Sequence, residues 1–349
     1  MLFRSRSDQL RALTTTQLQA IETRDLNSLD ADHVSSLLES QVTALTSVQV
    51  ANLGTAQLTN LSTLQIQAIS TDNIAALTTR HIRSLGESVA VLTTAQVGQL
   101  QSGQIRALTS DQLGVLPSDQ LRALSTDQLG YLQTTQIAGL QVDQLNALKT
   151  SQVAALSSSF LPSLLSDQVS GLSNQQIQAL TSAQIPYLEA QDWASLTSSQ
   201  IAVLTSDQTS VLLSQQLAAI TSDQMPAYDV TLLNQWNSSQ WQALRSDAVS
   251  ALSTTQMVGL ATQQISAMST SQWRALTTDQ MPVLSTEQLI QLSTAGAAAL
   301  TSDQLGSMTT DQLAHLSISQ IAALSTSAIP GLSNPLLASL QTEQVDRKS

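Results

Sequence analysis

LTSDQLGV, LPSDQLRA, LSTDQLGY: residues Leu108–Tyr131 write one octapeptide three times, and almost all of the remaining chain repeats it. With the leading Leu as position 1, the unit reads Leu, Thr/Ser, Ser/Thr, Asp or any residue, Gln, Leu/Ile/Val, any residue, and Ala or another small residue. Thr109 and Gln112, at positions 2 and 5, have the spacing of a capping box. In that motif the hydroxyl accepts from the N3 backbone N–H while the Gln side chain reaches back to the N-cap N–H. Leu108 and Leu113 then fall at the two sites of a hydrophobic staple. Asp111 sits in the first turn, where negative charge meets the positive end of the helix dipole. Four cues place a helix start at one residue, and such agreement marks a sequence that specifies its structure.

The next cap comes eight residues later, so each helix has about one and a half turns. One continuous helix is excluded. Eight residues at about 100° each advance about 800°, which rotates the Leu stripe by about 80° per repeat and smears it around the surface. A flat strand fails as well, because positions 1 and 6 would point to opposite faces and Gln, Asp, Ala and Leu are not strand-rich. A wound β-solenoid with corners inside each octad is the structural alternative. The fold class read from the repeat is all-α: an α-solenoid of very short capped helices, one per octapeptide. Nucleating each helix costs about 4 kcal/mol and a cap offsets only about 1. Burial of positions 1 and 6 adds about 1.5–3 kcal/mol each, and only once neighbouring octads cover them. The unit must stack.

The register runs as ten octads from Ser5 to Ser84, skips at the seven-residue Leu85–Val91, and continues as 32 octads from Leu92 to Arg347. The expectation is a single continuous solenoid over 5–347 with short tails at 1–4 and 348–349; the skip is a local bulge or a junction. Gln fills position 5 in 31 of these 42 octads, so departures stand out. LSSSFLPS (156–163) puts Phe160 there, and 228–251 is irregular, with YDVTLLNQ losing the box before WNSSQWQA. Tyr228, Trp236 and Trp241 thus gather within two repeats. Larger core residues are the default reading of Trp193, Trp241 and Trp273 at position 6 and of Trp236 at position 1. Tyr228, Trp236 and Trp241 are also the first candidates for a partner-binding spot. Prolines 162, 186, 226, 282 and 330 all stand at position 7, which reads as a helix ending by positions 6 to 7. Position 7 alternates Gly98, Arg106, Gly114, Arg122, Gly130. That alternation points to an even number of octads per coil, four first and three next.

Net charge of −12 argues against nucleic acid, where a basic face is expected. No run approaches the 18 apolar residues of a membrane helix, and MLFRSRSDQL carries no apolar signal region. The absence of cysteine excludes disulfides and thiolate chemistry. His33, His81 and His315 have no ligand spacing, and His33 and His81 simply take the Gln position. Asp at position 4 reads as a helix-dipole complement; one carboxylate per octad is sparse for calcium, which needs six to eight oxygens. No phosphate loop, nucleophile motif or zinc pair appears, so no catalytic, cofactor or metal residue is assigned. A ladder of stacked Gln side chains between coils is a further possibility.

The runs LTSDQLGVL (108–116), LSTDQLGYL (124–132) and LTSSQIAVL (196–204) resemble the tandem LTTxQ(I/V/L)xAL octapeptide arrays of large secreted or surface-associated bacterial proteins. The resemblance covers almost the whole chain. It implies a bacterial source, an extracellular or cell-surface location, and a structural or adhesive role without catalysis. The leading expectation is a rod-like spacer or filament subunit that stacks head to tail through Leu2, Phe3, Leu337 and Val345. The second is a module that binds a protein or glycan on one lateral face.

Overall fold

A computed structural model describes residues 7–137 and 139–340. Among them are 36 α-helices and six 3₁₀ helices, and no strand. The α-solenoid reading is therefore the fold, and the β-solenoid alternative falls away. In octad 108–115 the helix is Ser110–Gly114, with Leu108 and the N-cap Thr109 in extended conformations (φ −59°, ψ 137° and φ −83°, ψ 163°). The whole connection between consecutive helices is this pair of extended residues plus the end of the previous octad. The Leu113 N–H closes onto the Thr109 carbonyl at 3.0 Å and the Leu116 N–H onto the Leu113 carbonyl at 3.2 Å. Both bonds recur along the array, so each octad exits as it entered.

Helices end at position 6 or 7, as in Ser198–Ile201 and Ser110–Gly114, or run one residue beyond the expected end to position 8, as in Thr71–Ala76. The prolines act differently. All five position-7 prolines fall in octads whose helical turn is 3₁₀, at 158–163, 185–187, 225–227, 281–283 and 329–331. Proline at position 7 has no N–H to close onto position 3. The N–H at position 8 then reaches three residues back, as from Tyr187 to the Gln184 carbonyl (3.0 Å). In proline-free octads it reaches three or four back, as from Tyr131 to Gln128 and from Val115 to Asp111 (both 3.1 Å). The sixth 3₁₀ helix is the skip itself, Gly86–Val91, which follows the helix Thr79–Ser84 directly through Gly86 at φ +52°. That backbone region is open to glycine at little cost, and the missing residue is absorbed there.

Position 6 is buried nearly throughout: Leu18, Val42, Ile82, Leu113, Ile201 and Leu305 are all 0% exposed. Its single polar occupant, Thr209, is also buried; its hydroxyl donates back to the Thr205 carbonyl at 3.2 Å. Position 1 forms the second buried row.

Helices three octads apart pack together. Glu39–Ala44 contacts both Thr15–Gln19 and Thr63–Ala68. The side-chain bonds between coils span 28, 30 and 31 residues. Each octad therefore lies over the junction between the third and fourth octads before it. A recurrence of 28 residues at eight per octad is three and a half octads. The expectation of four is corrected on this point: packed helices are three octads apart and offset by part of an octad, so each Gln reaches both the end of a helix and the connection after it.

The chain gathers into two compact units, Met1–Leu172 and Ser173–Ser349. Both are built of the same stacked octads, and the octad register in the sequence passes from Leu172 to Ser173 without a change of length.

Candidate functional site

The capping box forms as read. The Thr109 N–H donates to Gln112 Oε1 at 3.1 Å, and the Gln112 N–H donates to Thr109 Oγ1 at 3.1 Å. The Gln side chain does more than cap. Gln41 Nε2 donates to the Leu10 and Leu13 carbonyls at 2.8 and 2.9 Å, 31 and 28 residues back. Gln216, fully buried, repeats this with Ile185 (2.8 Å) and Leu188 (2.9 Å). One carboxamide thus ties a helix start to the C-terminal carbonyls of the coil beneath. We call this the clamp. It differs from the expected Gln ladder, since each Gln binds backbone and not the next Gln.

The clamp survives loss of the hydroxyl. Where position 2 is Leu38, Gln101, Lys149, Leu165 or Leu213, its N–H still donates to the Gln Oε1 three residues on, at 2.7–2.9 Å. Of the 30 position-5 glutamines among the described residues (31 less Gln344), 28 are buried. The two exposed ones, Gln9 and Gln17, belong to the first coil, which has no described coil beneath it. Burial of the glutamine thus follows from the coil below.

Two exceptions confirm the cause. Gln120 Oε1 is buried without a partner because position 2 is Pro117, which has no N–H to give. Gln264 Oε1 is also orphaned, because the Ala261 N–H it would accept from donates instead to Asn234 Oδ1 at 2.8 Å.

A second set of coil-to-coil bonds runs along position 7. Gln19 Nε2 donates to the Ala44 carbonyl at 2.7 Å, Thr43 Oγ1 to Ala68 at 2.9 Å, and Asn234 Nδ2 to Gly259 at 2.8 Å, each 25 residues on. The Arg106 guanidinium lies 5.6 Å from the centre of the Tyr131 ring at the same separation. Position 8 is small for a matching reason. A Cβ on Gly171 would meet Val142 Cγ1 at 2.2 Å, and one on Gly259 would meet Val230 Cγ2 at 3.0 Å. Position 8 faces position 3 of the coil beneath, 29 residues earlier in both cases.

This repeat has a counterpart among known families. The ALTTAQ repeat matches residues 50–87, 89–126, 110–142, 122–158 and 254–286. Over these stretches the sequence matches tandem ALTTAQ repeats. Comparison with curated proteins finds no match. The matched stretches of the ALTTAQ array include the Leu108–Tyr131 octads and skirt the irregular octads at 228–251. No helix among the described residues is long and apolar enough to cross a membrane.

Tyr228, Trp236 and Trp241, nominated for partner binding, are brought together, but inside the core at 2%, 1% and 0% exposure. Their rings meet edge to face, with centroids 5.4 Å apart for Tyr228–Trp236 and 6.1 Å for Trp236–Trp241. The Trp193 indole N–H donates to the Tyr228 hydroxyl at 3.2 Å, and the Trp241 indole N–H to the Leu233 carbonyl at 3.2 Å. Burial pushes the Tyr228 phenol well above its ordinary range, outweighing the bond from Trp193. Octad 228–235 has Leu232 in place of the clamp Gln, and aromatic rings fill the coil there. The nomination is corrected: rings that fill the core present no surface. Sequence reasoning missed Trp193 as their partner, 35 residues away.

Trp273 shows the same accommodation. Its Cδ1 would lie 3.1 Å from a Cβ on Gly296, which holds position 5 of the octad above. Glycine there leaves room for the indole.

Of the residues nominated for end-to-end assembly, Leu337 is 43% exposed, and Leu2, Phe3 and Val345 lie outside the described residues. The three histidines serve the fold. His33 Nδ1 meets Asp30 Oδ1 at 2.5 Å, His315 Nδ1 meets the Asp311 carbonyl at 2.7 Å, and His81 is a clamp. Among the described residues no three His or acidic side chains come together to hold a metal.

Proposed function

We propose that this chain is a non-enzymatic structural repeat protein, a spacer or a filament or surface-fibre subunit whose copies stack head to tail. The observation that carries this reading is the clamp. The repeat's recurrent glutamine is used on coil-to-coil backbone bonds, so the repeat is chemistry for stacking.

The described edges of the array support self-assembly. On the first coil, Gln9 and Gln17 are exposed, and Leu13, Ile21 and Leu29 are half-buried where later position-1 residues are buried. At the other edge Ile329, Leu332 and Leu340 are half-buried and Leu337 is exposed. The two edges differ in kind, with exposed Gln side chains at one and the exposed Leu337 at the other. The contact is heterologous, and a heterologous contact that does not close propagates. A bacterial surface or extracellular setting rests on the resemblance of the repeat.

Electron microscopy of the 349-residue protein, with its mass measured in solution on the same sample, tests the proposal. End-stacked multimers that disappear in the Leu337→Asp, Val345→Asp double variant are expected. A strictly monomeric protein, or multimers untouched by the double variant, would refute it.

A further inference from the structure

His81 stands where Gln stands in most octads, and its ring copies both halves of the clamp. The Thr78 N–H donates to His81 Nδ1 at 3.3 Å, as it would to Gln Oε1. His81 Nε2 lies 2.9 Å from the Leu53 carbonyl, 28 residues back, as Gln Nε2 would. The side chain is 4% exposed. The two partners fix the tautomer: Nδ1 must offer its lone pair and Nε2 must carry the hydrogen. A second proton would turn Nδ1 into a donor aimed at the Thr78 N–H. A carboxamide cannot gain such a proton in this pH range; an imidazole can.

We propose that His81 makes octad 77–84 an acid-operated latch, released when protonation of Nδ1 breaks its bond from Thr78 and loosens the coil at Leu53. The groups that face it do not titrate in the same window. Of the elements packed on Thr79–Ser84, the helix Thr55–Thr59 has no ionisable residue, Gly86–Val91 carries Glu87, and Ser102–Ala107 carries Arg106. Its own helix adds Arg80 and Arg83. Among these residue types only histidine ordinarily changes charge between pH 5 and 8. Burial lowers the imidazole below its ordinary 6.5, the bond to the Leu53 carbonyl opposes this, and the charge of Arg80 adds to the lowering.

The sign follows from that direction. The open form takes up a proton below pH 6.5 and the closed form resists it, so closure is fully favoured above 6.5 and weakens as pH falls. The latch also adjoins the skip at Leu85–Val91 and its left-handed Gly86. Two departures from the repeat fall on consecutive units, and both concentrate opening at one place in unit 1. The Gln-clamped octads have no such proton site.

His81→Gln installs the side chain that is buried at this position in 28 described octads, so it is expected to fold. The measurement is amide hydrogen exchange at Thr78, corrected for intrinsic rates, at pH 7.5 and 5.5. One pH unit below 6.5 the protonation factor of the open form is about 11. The opening constant in the native protein should therefore rise by up to about tenfold, and in His81→Gln it should not rise. His33→Gln and His315→Gln should keep the full rise. An equal rise in His81→Gln, or none in the native protein, would overturn the latch. So would a His81 ring titration by NMR with its midpoint above 6.5 in the folded protein.

Discussion

Gln272 measures what one clamp is worth. It is 1% exposed; Oε1 accepts from the Ser269 N–H at 2.8 Å, and Nε2 donates to the Trp241 and Leu244 carbonyls at 2.8 and 2.9 Å. Gln272→Leu keeps the volume and removes the polar ends. The Trp241 carbonyl retains the bond from the Leu244 N–H at 3.2 Å, so the groups left bare are the Ser269 N–H and the Leu244 carbonyl. A buried polar group without a partner costs about 1–3 kcal/mol, and two cost about 2–6. The extra apolar surface of Leu offsets about 1–2 kcal/mol. At the middle of these ranges, about 4 less about 1.5, the expected net loss is about 2.5 kcal/mol, since the clamp acts by satisfying backbone and not by filling space. All four tryptophans lie between Trp193 and Trp273, so urea unfolding followed by indole fluorescence reports the affected coils. With a urea m-value of about 2 kcal/mol per molar, the midpoint should fall by about 1–2 M. Gln272→Glu separates bonding from shape: the new oxygen faces two carbonyls, which holds its carboxyl above the ordinary range. A raised folded value means that stability is intact below the ordinary carboxyl range of about 4 and is lost as pH rises through the raised value. That variant should be poor at neutral pH and partly recover in acid. A midpoint shift below about 0.3 M for Gln272→Leu would refute the clamp as a source of stability.

The other perturbations test the geometry around the clamp. Pro117→Thr supplies the N–H that Gln120 Oε1 lacks; thermal unfolding should show a gain of about 1 kcal/mol after the entropic loss of the proline. Gly259→Ala drives a methyl against Val230, and Val230→Ser should rescue it in the same background. Urea midpoints of the two single variants and the double should show coupling of about 1 kcal/mol or more. Gly296→Gln restores the repeat's own residue and yet should destabilise by about 1–3 kcal/mol, because Trp273 and Leu292 occupy its space. Adding Trp273→Leu should recover most of that loss.

The local fold was legible because an octad's own residues decide it. Thr109, Asp111, Gln112 and the Leu108–Leu113 staple fix the helix start without reference to any other coil. The number of octads per coil was misread. The Gly98–Arg122 alternation at position 7 is no guide to coil size, because this half-exposed position meets the next coil equally with Gly114, Arg106 or a hydrogen-bonding Gln19. The informative pairs were Val142 with Gly171 and Val230 with Gly259, each 29 residues apart. Both valines at position 3 meet glycine at position 8 three octads later, so the coil size was written in the sequence as a pairing of exceptions. Periodicity alone does not reveal it, because positions 3 and 8 are individually unremarkable.

The aromatic octads were misjudged for a related reason. A cluster of rings in a chain with only nine aromatics reads as a spot made for a partner, since rarity resembles function. What decides between partner and core is the residue at position 5. Where Gln clamps, its carboxamide occupies the space between coils, and Trp241 and Trp273 nonetheless follow clamping glutamines, Gln240 and Gln272. Where it is absent, at Leu232, Ala248 and Gly296, that space is open to an indole. Trp236 and Trp241 flank the first two, and Trp273 lies directly beneath the third. At Gly296 and Trp273, loss of the Gln and gain of the ring are paired, the glycine leaving the space beside the indole. Irregular octads in such an array are thus alternative solutions to stacking, and a binding surface has to be sought among residues that break the pattern while staying exposed.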